Sequence, residues 1–279
     1  MNGKTGIWDT LPLTTDMNSA MKNIITIFLC LLALPILAQD LSLFEKRTFT
    51  NKKGEVLPYR ILFPKNYDAS KKYPLVLFLH GGGERGDDNE KQLVHGVKVF
   101  LGAENREQYP AIVIAPQCPA DSYWGSVKFE RTKYPLDMDF NYDYDITTGL
   151  RLAMELTKHT IKQEGVDKDR VYITGLSMGG MGTLEAVYRF PKRFAAAVAV
   201  CGGADVAAYK KKQARIPFRL YHGEVDGVVA VDHSRAMYAK LQELGAAVSY
   251  KEYPGVNHNS WENAYAEPDL LSWLFAQER

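Results

Sequence analysis

Cysteine is scarce in this sequence and charge of either sign is not in excess. Three cysteines occur in 279 residues, and none stands in the spaced Cys/His company of a metal site. The formal net charge is +1. No Lys/Arg stripe interleaved with aromatics is present, so the electrostatic footprint of a nucleic-acid binder is missing. Lys210-Lys211-Lys212 is short enough to be a solvated loop. No internal repeat or low-complexity tract is visible, which excludes a solenoid. No apolar run reaches the roughly 20 residues of a membrane span. What is present is ordinary for a globular chain, with 24% charged and 46% hydrophobic residues.

The N-terminus reads as a targeting segment. Met21-Lys22-Asn23 precedes an apolar stretch from Ile24 to Leu37, interrupted by Pro35, and Ala38-Gln39 resembles a cleavage junction. Ile36 departs from the small residue preferred before such a cut. Residues 1–20 carry Asp9 and Asp16 against Lys4 and do not suit a signal's first region, so Met21 is the expected start. Residues 1–38 are thus read as extension and signal, and 39–279 as a single catalytic domain of an exported protein, periplasmic or extracellular. No stable membrane span is expected once the signal is removed. Cys30 lies within the apolar stretch. The remaining pair, Cys118 and Cys201, would sit just beyond strand ends on the same side of a sheet, and either bridge or stay as buried thiols.

Beyond residue 40 the pattern alternates strands with helices. Strands are expected at Phe44–Thr50, Pro58–Phe63, Tyr73–Leu79, Ala111–Ala115, Val171–Thr174, Ala195–Val200, Phe218–Tyr221 and Val248–Tyr253. The run from Tyr73 to Leu79 is nearly all apolar, as suits a central parallel strand covered on both faces. Helical spacing recurs at Lys91–Leu101, Asp145–Gln163, Met181–Phe190, Asp232–Leu244 and Pro268–Gln277. Such alternation implies an α/β fold with a mostly parallel sheet of about eight strands and helices on both faces. Between Pro116 and Asp145 a long loop carries Tyr123, Trp124, Phe129, Tyr134, Phe140, Tyr142 and Tyr144. It leaves a strand on the side where such sheets bind ligands.

The chemistry centres on Gly175-Leu176-Ser177-Met178-Gly179-Gly180. It matches G-x-S-x-G, follows a β-branched run and leads into a helix. A serine on so tight a turn takes a strained backbone, and small neighbours let strand and helix pack closely. The hydroxyl then projects from the sheet end, and the Met178 N–H can face an oxyanion. A serine hydroxyl needs a base, and the base an orienting acid. His258, in the polar loop Gly255–Trp261 after the last strand, is the expected base. His95, His159 and His233 read as surface residues. Asp226, in His222–Val229 after the preceding strand, is the expected acid, with Glu224 and Asp232 as rivals. His80-Gly81-Gly82-Gly83-Glu84-Arg85-Gly86 supplies a second backbone donor, Gly82 or next to it Gly83. This loop lacks the lysine and Ser/Thr of a phosphate loop.

In these stretches, with Ala115–Pro119, the chain resembles exported α/β-hydrolases of the carboxylesterase/prolyl-oligopeptidase-like group. The resemblance spans roughly residues 43–279. It implies the α/β-hydrolase fold, a triad of Ser177, Asp226 and His258, and Trp124 near the acyl pocket. It also implies a small-molecule or carbohydrate ester as substrate, feruloyl and acetyl esters among them. Neither metal nor organic cofactor is implied. Prolyl-oligopeptidase-like peptidases use a propeller domain for which this sequence has no room, which favours an esterase over a peptidase. A non-catalytic carbohydrate-binding protein of the same fold is the remaining alternative.

Overall fold

Apolar runs decide the centre of the molecule. The computed structural model describes residues 40–279; the signal stretch, Met21 and Cys30 lie outside the described residues. Ten strands follow in chain order: β1 (Glu45–Thr50), β2 (Val56–Leu62), β3 (Tyr73–Leu79), β4 (Ile112–Pro116), β5 (Val127–Glu130), β6 (Asp137–Phe140), β7 (Val166–Leu176), β8 (Ala196–Val200), β9 (Phe218–Gly223) and β10 (Val248–Tyr253). The helices are α1 (Ala103–Gln108), α2 (Thr148–Gln163), α3 (Met178–Arg189), α4 (Asp232–Glu243), α5 (Trp261–Ala264) and α6 (Leu270–Phe275).

Eight strands form one sheet in the order β1-β2-β4-β3-β7-β8-β9-β10. The β1/β2 and β2/β4 pairs are antiparallel, and every pair from β4 onward is parallel. Every residue of β3, β4 and β8 is buried, because helices cover both faces. Alternation along β3 separates the two cores. Leu75, Leu77 and Leu79 pack into one cluster with α2 and α3, and Val76 and Phe78 into another with Tyr265 and α6.

Several expectations are corrected. Lys91–Leu101 is not one helix but two 3-10 turns, Lys91–Leu93 and Val97–Leu101, broken where Gly96 turns at φ +71°. The long loop contains a hairpin, β5 paired with β6, whose residues alternate between half-buried and exposed. The hairpin is tied back by Leu136 N–H donating to Val228 O at 2.9 Å. Beneath it, the buried Glu185 carboxylate accepts from Ser126 N (2.5 Å) and Oγ (2.7 Å) and from Arg189 Nε (2.6 Å). Arg189 in turn donates to Tyr144 O at 2.7 Å. Cys118 and Cys201 are both buried and free. They cannot pair because each belongs to the core on a different face of the sheet.

Candidate active site

The strand-to-helix turn forms because small residues let three backbones meet. A Cβ on Gly179 would collide with the Leu79 carbonyl, and one on Gly175 would lie 2.7 Å from the same oxygen. The turn drives Ser177 to φ +53°, ψ −117°, a conformation costing about 1–3 kcal/mol that the surrounding packing must impose. Its N–H is held by Val200 O at 2.8 Å. Ser177 precedes α3, so the Met178 amide belongs to a first turn with no intrahelical acceptor.

Two loops at the same sheet edge bring the partners. Ser177 Oγ lies 2.9 Å from His258 Nε2, and His258 Nδ1 lies 2.8 Å from Asp226 Oδ2. A carboxylate only accepts, so Nδ1 carries the proton and Nε2 is free to accept from Ser177. Asp226 Oδ1 accepts from the N–H groups of Val228 (2.8 Å) and Val229 (2.9 Å). Burial opposes the Asp226 charge, but hydrogen bonds from His222 and His258 outweigh it and hold the carboxyl well below the usual carboxylate range. The rivals lie elsewhere. Glu224 is exposed and accepts from Gly255 N, and Asp232 pairs with Arg235 at the surface.

A second imidazole reaches the acid. His222, fully buried, places Nε2 3.1 Å from Asp226 Oδ2 and 3.0 Å from Val229 O, with Nδ1 2.7 Å from Ser234 Oγ. His222 is not among the site residues expected from the sequence; the His-Gly-x-x-Asp spacing after a strand is the signal that marks it.

The cleft above Ser177 measures about 580 Å³. Gly82 lines it, and a Cβ there would lie 4.0 Å from Met178 Cβ, so the two residues are neighbours across the turn. The loop is anchored by buried His80. Its Nε2 accepts from Cys118 N at 2.9 Å and its Nδ1 faces Gly81 O at 2.7 Å. Trp124 does not line the cleft. It is fully buried, edge-on to His80 at 5.3 Å, while its neighbour Tyr123 faces the cleft. His95, expected at the surface, lines the cleft, and His233 packs edge-on against Phe140 of the hairpin. Glu84, Arg85, Arg131, Leu136, Met138 and Trp261 also line it.

Cys201, Asp226 and His258 hold ligand-capable atoms within 4.8 Å of one another. Asp226 and His258 are already bonded to each other, and burial pushes the Cys201 thiol far up, keeping it protonated. The triad geometry accounts for this grouping without a metal.

Comparison with known proteins follows the same lines. The sequence profile described as phospholipase/carboxylesterase matches residues 66–267. A probable carboxylesterase of Oryza sativa subsp. japonica is 29% identical over 219 residues, spanning 74% of this chain and 78% of its own. A solved structure of a thermostable esterase is 37% identical with a TM-score of 0.77, covering 86% of this chain; the chain spans 64% of that protein's length. A ferulic acid esterase from Anaeromyces mucronatus, solved with ferulic acid, shares the fold at TM-score 0.60 and 16% identity, over 82% of this chain and 91% of its own. The profile takes in well over half of the residues, and the chain therefore belongs to the phospholipase/carboxylesterase family, the carboxylic ester hydrolases of the α/β-hydrolase fold.

Proposed function

We propose that this protein is an exported serine carboxylesterase acting through Ser177, His258 and Asp226. The observation that carries the reading is the unbroken line from Ser177 Oγ through His258 to Asp226, at 2.9 and 2.8 Å. Ser177 attacks the ester carbonyl while His258 Nε2 takes its proton. Asp226 keeps the imidazole in the accepting tautomer and balances the imidazolium. The N–H groups of Met178 and Gly82 stabilise the oxyanion. His258 returns the proton to the departing alcohol, and water then cleaves the acyl-enzyme. Residues 39–279 act as the single catalytic domain, delivered by the signal that ends near Ala38.

Esters of carbohydrates, acyl or feruloyl, are the favoured substrates. The cleft mixes apolar side chains with Glu84, Arg85 and Arg131, which suits a polar ester better than a long lipid tail. The test is turnover of p-nitrophenyl acetate by the chain from Gln39, beside Ser177→Ala. Loss of more than about 10⁴-fold in kcat is expected for the variant. No turnover by the wild type, together with cleavage of short peptide amides, would replace the esterase with a peptidase using the same serine.

A further inference from the structure

Gly82 has no side chain, so only its neighbours can fix the direction of its N–H. Three glycine amides follow one another here, those of Gly81, Gly82 and Gly83. The Gly81 N–H is spent on the Glu84 carboxylate, which also takes the N–H of Glu84 itself. That leaves Gly82 and Gly83. Each N–H belongs to a planar trans peptide unit whose carbonyl points the opposite way. Holding the carbonyl therefore aims the N–H. The Gly82 N–H shares its peptide with Gly81 O, and the Gly83 N–H shares its peptide with Gly82 O.

Both carbonyls are held, by different groups. Arg85 Nε donates to Gly82 O at 3.0 Å, while its Nη1 donates to Ala120 O and Ser122 O at 3.0 and 3.1 Å. Gly81 O lies 2.7 Å from His80 Nδ1. The other ring nitrogen decides the tautomer. The Cys118 N–H can only donate, and it lies 2.9 Å from His80 Nε2. Nε2 therefore carries no proton, and Nδ1–H is the donor to Gly81 O. The ring is buried, with Trp124 edge-on at 5.3 Å. Burial also keeps the imidazole neutral, pulling it from 6.5 down to about 4.

A continuous line results. It runs from the Cys118 N–H through both nitrogens of His80 to the Gly81 carbonyl, then across the peptide to the Gly82 N–H, and Gly82 lines the cleft with Ser177. Every bond in it points the same way. A donor at the carbonyl polarises the peptide and strengthens its N–H as a donor in turn.

We propose that His80 is a positioning residue for the oxyanion donor: its Nδ1–H, set by the Cys118 amide, fixes the direction and strength of the Gly82 N–H. The role rests on the serine-esterase reading with Gly82 as second donor, and it reaches the reaction without touching substrate. A dipole aimed in advance needs no reorganisation when charge develops on the carbonyl oxygen.

The wild type, His80→Leu, His80→Asn, His80→Gln and Ser177→Ala are assayed on p-nitrophenyl acetate and titrated with phenyl trifluoromethyl ketone. Ser177 Oγ adds to the ketone carbonyl, its proton passes to His258, and an oxyanion is left in the hole. Leu removes both ring bonds. The amide of Asn reaches as far as Nδ1, and that of Gln as far as Nε2. In the Leu and Gln variants kcat is expected to fall about 10- to 100-fold, part of what loss of a whole donor costs. KM should stay within about threefold, and the ketone should weaken by the factor lost in kcat, since both report the oxyanion. Asn should restore most of both. A lower kcat with unchanged ketone affinity marks fewer folded molecules, which thermal midpoints register, and overturns the role. So does an Asn variant no better than Leu, or a loss that falls on KM alone. Wild type and Ser177→Ala alike inactive, with neither binding the ketone, bring down the esterase reading itself and the positioning role with it.

Discussion

At the scale of single residues, Asp226 is held by more than a triad requires. Its oxygens take two backbone amides and two imidazoles, and His222 is the group with no role in proton transfer. In the proposed mechanism His222 is a positioning residue, fixing Oδ2 where His258 Nδ1 meets it. Its Nε2 must carry a proton, because Val229 O and Asp226 Oδ2 both only accept, while Nδ1 faces Ser234 Oγ at 2.7 Å. Replacing His222 with Phe should lower kcat about 10- to 100-fold with KM nearly unchanged, the worth of one hydrogen bond to a charged group. His222→Gln can present an N–H in the same region and should recover much of the loss. Steady-state kinetics on one activated ester, with thermal midpoints beside them, check this; if Phe and Gln behave alike, the bond to Asp226 does not matter.

Among the elements, the β5–β6 hairpin is the one whose attachment shapes the cleft. It contributes Arg131, Leu136 and Met138 to the lining, and it rests on the Glu185–Ser126–Arg189 network. Glu185 and its partners are buried or nearly so, with side-chain exposures of 0% for Glu185 and 18% for Arg189. Glu185→Ala leaves the guanidinium without its counter-charge and should cost about 3–5 kcal/mol, measured by urea unfolding; a loss under about 1 kcal/mol would mean that the pair behaves as a surface one. The same hairpin is the part of the fold least legible in the sequence. The turn, the acid and the base of the proposed triad are legible because each is local: glycines at fixed spacing, and polar loops following apolar strands. Val127–Glu130 and Asp137–Phe140 do alternate, but with charged residues on their exposed side and a run of aromatics around them, so the two-residue period was masked. Trp124 was misplaced by one position. Of the two adjacent aromatics Tyr123 takes the cleft and Trp124 the core, and no local pattern in the sequence separates them. Gly96 broke an apparently helical pattern that periodicity alone could not interrupt.

At the scale of the whole molecule, stability should depend on pH in one direction. Burial pulls His80 from its ordinary 6.5 down to about 4, so the unfolded chain binds a proton more readily than the native one. Stability is therefore full above about 6.5 and is lost as pH falls towards 4, by about 3 kcal/mol in total. Asp226 adds to the trend, since its depressed carboxyl favours the native state above the ordinary carboxylate range and loses that advantage on further acidification. Urea unfolding at intervals from pH 7.5 to 4 should show this slope, and His80→Gln should flatten its upper part. An unchanged slope in the variant would place the proton uptake elsewhere. A different kind of environment leaves the fold untouched. Cys118 and Cys201 are sealed in separate cores, so among the described residues there is no covalent staple for glutathione to cut or for an oxidase to install. Packing and hydrogen bonds, without a covalent cross-link, hold the described residues together, so a reducing and an oxidising compartment are alike to this fold.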